Sequence, residues 1–533
     1  MSGTRFVTLA LCVSSFAVTG CLASLDDADP GTGELTSDEG SAYTIQYDSF
    51  VYVPAGAGDD EVRWQIQRQI KSSLGALREV GIGVLDRDAQ RNLDPAGWTR
   101  TPLTVVEPGG ATAESIERVG FHYSDLAIVD DDTSVTGPLQ LTLLFGDYAA
   151  RRDELVPACS DDASAAADSL WYHYAPGRYS CRTRILAERD AINTANAALD
   201  DASAQVSRAD VDRRFVTTLA SLVPEEDPPV LYPEYDRLWG FRGNTSRTTL
   251  VVYAFFGVDS DEANPRDYGM REFLRFQRTL RERFPSLRVT HTAPFAMLLD
   301  FWIDGALVED VTFDEVADWI LDDTHYPPEA DTTAKRESLR QQVVERFSER
   351  WIYWQLPVTV TLDGASRDMI VEIRSFYGYE DGSWEARQHA TWRYLEAFWH
   401  ADVFAYTGHS HFGHGPLAPF YYRTENFPWR YQVMLVNSCL SFNYYDQDFI
   451  DVHPGGSANL DVVTNGLAAY WHGMGEASAR YVIGLIDGEG RSWQQLLGSM
   501  RVDLPWEHGY DPLRVVNGEL DNEFAGALSL ETR

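Results

Sequence analysis

Four residues in the C-terminal half could do chemistry. In "ADVFAYTGHSHFGHGPL" (401–417), His409, His411 and His414 fall within six positions, directly behind an apolar run. Cys439 ends a second such run, "YQVMLVNSC". A thiol beside an imidazole is the minimum equipment for covalent acyl transfer. The sulfur attacks a carbonyl carbon, and the imidazole takes the thiol proton and returns it to the leaving amine. Two backbone N–H groups near the thiol would have to hold the oxyanion. Three imidazoles at this spacing could instead ligate a metal ion.

The cysteine inventory narrows the choice. Of the five, Cys12 lies in the apolar stretch "FVTLALCVSSFAVTG" that follows Arg5, and Cys21 comes directly after it. A basic residue, an apolar core and small residues before a cut describe an export signal over residues 1–20. The ending Val18-Thr19-Gly20-Cys21 resembles a bacterial lipobox, which implies lipidation of Cys21; a plain secretory signal is the alternative. Residues 21–42 are small, acidic and Gly-rich, as expected of a flexible tether to a membrane surface. In an oxidising compartment, Cys159 and Cys181 read as a disulfide. Cys439 is then left over, either as a buried inert thiol or as a reactive one.

The elements that must position these groups come next. The length of 533 residues suggests about three domains. Residues 43–150 read as an α+β domain: an alternating strand, then a helix with Val62, Ile66, Ile70, Leu74 and Leu77 on one face, then strands at "TPLTVV", "ERVGFHYSDLAIV" and "LQLTLLF". Residues 151–244 hold the Cys pair, a helix over about 183–205 and the Pro-rich linker "VPEEDPPVLYPEYD". Residues 245–533 alternate strands and helices, which predicts an α/β domain with a parallel sheet. "RTTLVVYAFFGV" (247–258) is apolar throughout, as a strand buried on both faces must be. The helix "MREFLRFQRTLRERF", a second strand at "SLRVTHT", the strand "DMIVEIRSF" and the helix "SWEARQHATWRYLEAFWHA" lead to the two runs that end in chemistry. "NLDVVTNG" (459–466) is expected to be a helix capped by Asn459 and Gly466, and "NYYDQDFIDVHPGG" (443–456) a polar surface loop. In parallel sheets, functional groups gather at the carboxyl ends of strands.

"FAYTGHS" and "VMLVNSCLS" resemble the histidine and cysteine strands of the caspase-like cysteine peptidases, over residues 245 to 500 at most. The resemblance implies a caspase-like parallel-strand sheet flanked by helices, with Cys439 as nucleophile and His409 as its acid/base partner. It further implies the backbone N–H groups of Ser410 and Cys439 as the oxyanion hole, a protein or peptide substrate, and no cofactor. The family carries Gly after its histidine where this chain has Ser410, so His414, which precedes Gly415, is the reserve acid/base. Asp446, Asp448 and Asp451 could then favour a basic substrate side chain.

Two rival readings stand beside it. His409-x-His411-x-x-His414 has the histidine spacing of the metallo-β-lactamase motif HxHxDH, with Gly413 where that motif carries an acid; a zinc-dependent hydrolase would draw further ligands from His453, His472, His508 or Cys439. The other is a catalytically inactive surface lipoprotein that keeps the fold for partner binding. With 81 acidic against 44 basic residues and a formal charge of −37, nucleic acid is excluded as an electrostatic partner. The membrane is expected as a partner only through the N-terminal lipid.

Overall fold

The computed structural model describes residues 36–84, 93–133, 137–167, 169–226, 228–259, 263–289, 298–380 and 383–532. The export signal, Cys21 and most of the tether lie outside these residues, as do the last three residues of "SLRVTHT". No helix among the described residues is long and apolar enough to cross a membrane.

The N-terminal unit is built around an antiparallel ribbon. Strands β1 (Gly40–Pro54), β2 (Thr99–Val106), β3 (Thr112–Asp130), β4 (Leu139–Leu144) and β5 (Phe215–Pro224) form the greater part of a seven-stranded sheet, with helix α1 (Asp59–Arg78) between β1 and β2 in sequence. β1 alternates, so Tyr47, Val51 and Val53 face inward to meet Val62, Ile66, Ile70, Leu74 and Leu77 of α1. The Cys159–Cys181 disulfide is present. It closes a loop carrying the short helix α2 (Leu170–His173), and Cys181 lies in the first turn of helix α3 (Tyr179–Asn196). The loop shares the core of this unit through Leu170, Trp171 and Tyr174, and β5 pairs with β1, so residues 152–224 complete the N-terminal sheet and its core. α3 starts and stops earlier than the Ala-rich pattern suggests.

The C-terminal unit is a three-layer sandwich. Its strands β6 (Thr249–Gly257), β7 (Arg350–Leu362), β8 (Ala365–Gly378), β9 (Val403–Thr407), β10 (Gln432–Asn437), β11 (Leu460–Asn465) and β12 (Arg514–Asn517) lie in the order β12-β11-β10-β9-β6-β8-β7. The block from β11 to β8 is parallel throughout, and β12 and β7 flank it antiparallel. Helices α4 (Tyr268–Arg283), α5 (Trp384–His400), α6 (Phe442–Val452) and α7 (Met474–Ile486) cover its faces. The period of two sorts the strand residues: Val252, Ala254, Val403, Ala405, Val433 and Leu435 pack toward α4 and α7. Tyr253, Phe255, Phe404, Tyr406, Met434 and Val436 pack toward α5 and α6.

Several expectations are corrected here. Residues 459–466 are not a helix: Leu460–Asn465 is β11, all six residues buried. Val462, Val463 and Thr464 are β-branched and suit a strand enclosed on both faces. Asn459 does not cap a helix but donates to the Pro454 carbonyl. Conversely, most of 443–456 is α6 rather than a surface loop, with Phe442, Tyr445, Phe449 and Ile450 on its buried side at helical spacing. "SLRVTHT" contributes only Arg288–Val289, antiparallel on the far edge beside β7. The last residues of the expected tether are also ordered: Thr36–Ser37 pairs antiparallel with β12, and β1 begins at Gly40.

The two units are in close contact. Ile128 of β3 packs with Phe442, Leu513 and Val515, and the Asn443 side chain donates to the Val84 carbonyl. Gly83 lies so near Gly466 that a Cβ on it would sit 2.4 Å from the Gly466 carbonyl oxygen. Gly83→Ala therefore sets backbone against a new side chain. We expect it to lower the urea midpoint of unfolding, at a cost of about 1–3 kcal/mol, typical of an overpacked site. An unchanged midpoint would show that the contact gives way.

Candidate active site

The parallel block delivers its strand ends to one rim. Thr407 of β9 is in register with Asn437 of β10 on one side and Phe256 of β6 on the other. The residues that leave the strands there include Asp259 after β6, Glu380 after β8, His409 after β9 and Cys439 after β10. The structure thus brings His409 and Cys439 to neighbouring strand ends.

Glu380 organises the centre of this rim. It is buried, and its carboxylate accepts hydrogen bonds from the hydroxyls of Tyr394 and Tyr406, the latter at 2.7 Å. The Tyr406 hydroxyl is also 2.7 Å from the His409 carbonyl oxygen, so the strand end, the tyrosine and the carboxylate form one network. Glycine is required around it by close approach. A Cβ on Gly257 would meet a Glu380 oxygen at 2.4 Å, and one on Gly408 would meet the Tyr406 hydroxyl at the same distance.

His409 turns its Nε2 to Asp259 Oδ1, 3.2 Å away, and its ring stands edge-on to Trp471 at 5.2 Å. Burial alone would pull its pKa down. The hydrogen bond and charge of Asp259, with the Glu380 carboxylate behind, outweigh that and raise it above the ordinary value. His411 lies 3.8 Å from Glu380 through Nε2. It and Phe412 both adopt left-handed backbone, φ 48° and 52°. Such conformations cost about 1–3 kcal/mol each in non-glycine residues. The offset comes from Phe412, whose ring inserts between Trp171 at 5.6 Å and Tyr172 at 5.4 Å of the disulfide-closed loop. His414 turns away to a cleft of about 820 Å³ between α1 and α6, where its ring is 6.4 Å from Phe420.

Of the three imidazoles, His409 and His411 stay close, their ring centroids 5.7 Å apart, while His414 turns away to the cleft. Among the described residues, no group of three or more His, Cys, Asp and Glu side chains is arranged to hold a metal ion. Of the other candidate ligands, His453 bonds to Gln432 at the start of β10, the opposite rim, and burial lowers its pKa to about 4. His508 is exposed on a surface hairpin beside Asp503. Asp446, Asp448 and Asp451 all line the cleft with His414, and the buried Asp446 also accepts from Thr464 and Asn517.

Cys439 is half-buried and unbridged. Its Sγ is 3.2 Å from the Ala469 carbonyl oxygen. Burial pushes the thiol above its ordinary pKa, against opposing contributions from Tyr172, the Ala469 backbone and the charge of Arg78. Among the described residues no hydrogen bond joins Cys439 to His409. The peptide after Ser410 is fixed: the Ser410 carbonyl accepts from Gly413 N–H at 2.9 Å and from the Tyr445 hydroxyl.

Sequence reasoning missed Asp259, Glu380, Tyr172 and Arg78. The two acids carried a signal: "FFGVD" and "FYGYE" both read aromatic-aromatic-Gly-x-acid at a strand end. Tyr172 and Arg78 come from the N-terminal unit, and no local pattern announces them.

Comparison of the chain with known protein families, with characterised proteins and with solved structures gives no significant match.

The His409–Asp259 pair has a definite pH signature. Because the folded pKa is raised, the stability contributed by the protonated ring is complete below the unfolded value of about 6.5 and is lost as pH rises through the folded value. Asp259→Asn is expected to lower the His409 titration midpoint, followed by NMR of the ring Cε1 proton, to the ordinary value or below. A midpoint that stays raised would assign the shift to Glu380 instead.

Proposed function

We propose that the chain is a caspase-like cysteine endopeptidase, exported and anchored to a membrane by a lipid on Cys21. The observation that carries this reading is the pairing of β9 and β10 in parallel, which places His409 and Cys439 side by side at the carboxyl rim. Asp259, on the far side of the imidazole, supports it by orienting the ring and favouring the imidazolium.

In this mechanism Cys439 leaves Ala469 and gives its proton to His409. The thiolate forms the C–S bond to the scissile carbonyl, whose electron pair moves onto oxygen. The backbone N–H groups of Ser410 and Cys439 hold that oxyanion. Among the described residues the Ser410 N–H has no acceptor, so it is free for the role. Collapse breaks the C–N bond, and the imidazolium protonates the leaving amine. A water molecule, deprotonated by His409, then hydrolyses the thioester.

A second reading also has an observation in its favour. With the thiol on Ala469 and the imidazole on Asp259, the pair is not engaged. A surface lipoprotein that keeps the fold for partner binding would look the same. The zinc-hydrolase reading has the position of His414 against it, which turns away from the adjacent His409 and His411 to the cleft.

Peptide-library cleavage by a soluble form lacking the Cys21 lipid separates the two. Cleavage that disappears in Cys439→Ala and falls by about 10²–10⁴ in His409→Ala is the expected result, the range for loss of a general acid–base. No cleavage, together with no covalent capture of Cys439 by peptidyl electrophiles, would leave the binding reading.

A further inference from the structure

The face of the N-terminal sheet turned away from α1 carries a cavity of about 480 Å³ that the proposed chemistry does not use. Its floor consists of two rows of cross-strand partners. β3 lies between β1 and β2. Arg118 of β3 is therefore in register with Tyr52 on one side and Thr101 on the other, and Gly120 with Phe50 and Thr99. The alternate residues Val51, Val119 and Phe121 face the core shared with α1. Leu103 and Val206 add an apolar wall.

Folding does not explain two features of this floor. The first is Gly120, inside a 19-residue strand, where glycine weakens the pairing. Its backbone is not left-handed, and a Cβ there would meet nothing nearer than the Thr99 carbonyl oxygen at 3.8 Å. Neither conformation nor packing calls for glycine, and what the missing side chain leaves is the hollow itself. The second is Arg118. Its guanidinium lies over the Phe50 ring at 4.0 Å. Among the described residues that guanidinium makes no ion pair and no hydrogen bond, in a chain with 81 acidic residues to choose from. The other charged group of the cavity is fully committed: Asp210 accepts from Tyr52 at 3.1 Å, Asn196 at 2.6 Å and Arg213 Nε at 2.9 Å.

We propose that this cavity binds a small organic carboxylate, with the carboxylate on Arg118 and an apolar body in the hollow over Gly120, against Leu103. A guanidinium lying over a ring keeps its fork of N–H donors for a carboxylate, which it can hold through two parallel bonds. One free cation matches one negative charge. A phosphate dianion would carry excess charge beside Asp210, whose own charge Arg213 already answers. A free small acid and the C-terminus of a peptide share this chemistry. The site stands apart from His409 and Cys439 and does not depend on either being catalytic.

The test is a saturation-transfer NMR titration of the full chain without the Cys21 lipid. Phenylacetate serves as the free acid and N-acetyl-Ala-Phe as a peptide C-terminus, and the amide of each has the same body without the charge. At least one acid is expected to bind about tenfold or more tightly than its amide, the size of a hydrogen-bonded charge. Which acid binds identifies the source. Arg118→Gln should erase that preference by weakening the acid alone. Gly120→Val fills the hollow with a β-branched residue that suits a strand, and should abolish binding of acid and amide alike. Should Gly120→Val fail to fold, the exposed Arg118→Gln decides by itself. Equal binding of acid and amide, an acid preference that survives Arg118→Gln, or no binding of either acid at millimolar concentration overturns the proposal. Phenyl phosphate binding more tightly than phenylacetate would overturn the choice of a single negative charge.

Discussion

The structure depends on a block of parallel strands that must be buried on both faces. In β9, β10 and β11 every residue is buried, so neither face can carry a group that needs water. Each large apolar side chain enclosed this way contributes about 1.5–3 kcal/mol, and polar side chains are driven to the ends. At the amino rim the group that results is Asp402. It accepts from the Val251 N–H at 2.7 Å and is clamped by Arg247 and by Arg430 at 3.0 Å. Its own backbone bonds to Val251 and Val433, which ties β6, β9 and β10 in register. A buried carboxylate is tolerable because it is so fully compensated. One rim is thereby committed to holding the strands together.

The carboxyl rim is organised differently. Glu380 is also buried, but it is held by two tyrosine hydroxyls, with the His411 imidazole 3.8 Å away. Burial lowers the pKa of His409, but Asp259 and Glu380 outweigh it and favour the protonated ring. Across the interface between the two units, Arg78 is paired with Asp161 and stands over the Tyr172 ring at 4.7 Å.

How much of this was legible follows from the range of the interactions. The parallel core was visible because a doubly buried strand must be apolar along its whole length, and "VVYAFFGV", "DVFAYT" and "YQVMLV" satisfy that. His409 and Cys439 were visible because each breaks such a run. β11 was misread because Asn459 and Gly466 have the residue types of helix caps; the β-branched Val462-Val463-Thr464 was the better guide. α6 was misread because its aspartates lie among aromatics, and only Phe442, Tyr445, Phe449 and Ile450 face the core. The docking of Phe412 on Trp171 and Tyr172 was not legible at all, because it joins two distant parts of the chain through a conformation that its own residue type does not favour.

That last contact bears on how the two units relate. A removable pro-segment would meet the site through groups that separate cleanly, with exposed polar contacts and a long connection. Here the contact is Phe412 between two aromatic rings, a shared apolar cluster around Ile128 and Phe442, and glycine packed on glycine at Gly83 and Gly466. Separation would expose that surface and leave two left-handed residues, His411 and Phe412, without the packing that offsets their strain. The backbone that leads out of His409 would relax with them. The arrangement of His409 is therefore conditional on the N-terminal unit staying in place. The two units are better understood as one working assembly than as an enzyme and an attachment to it.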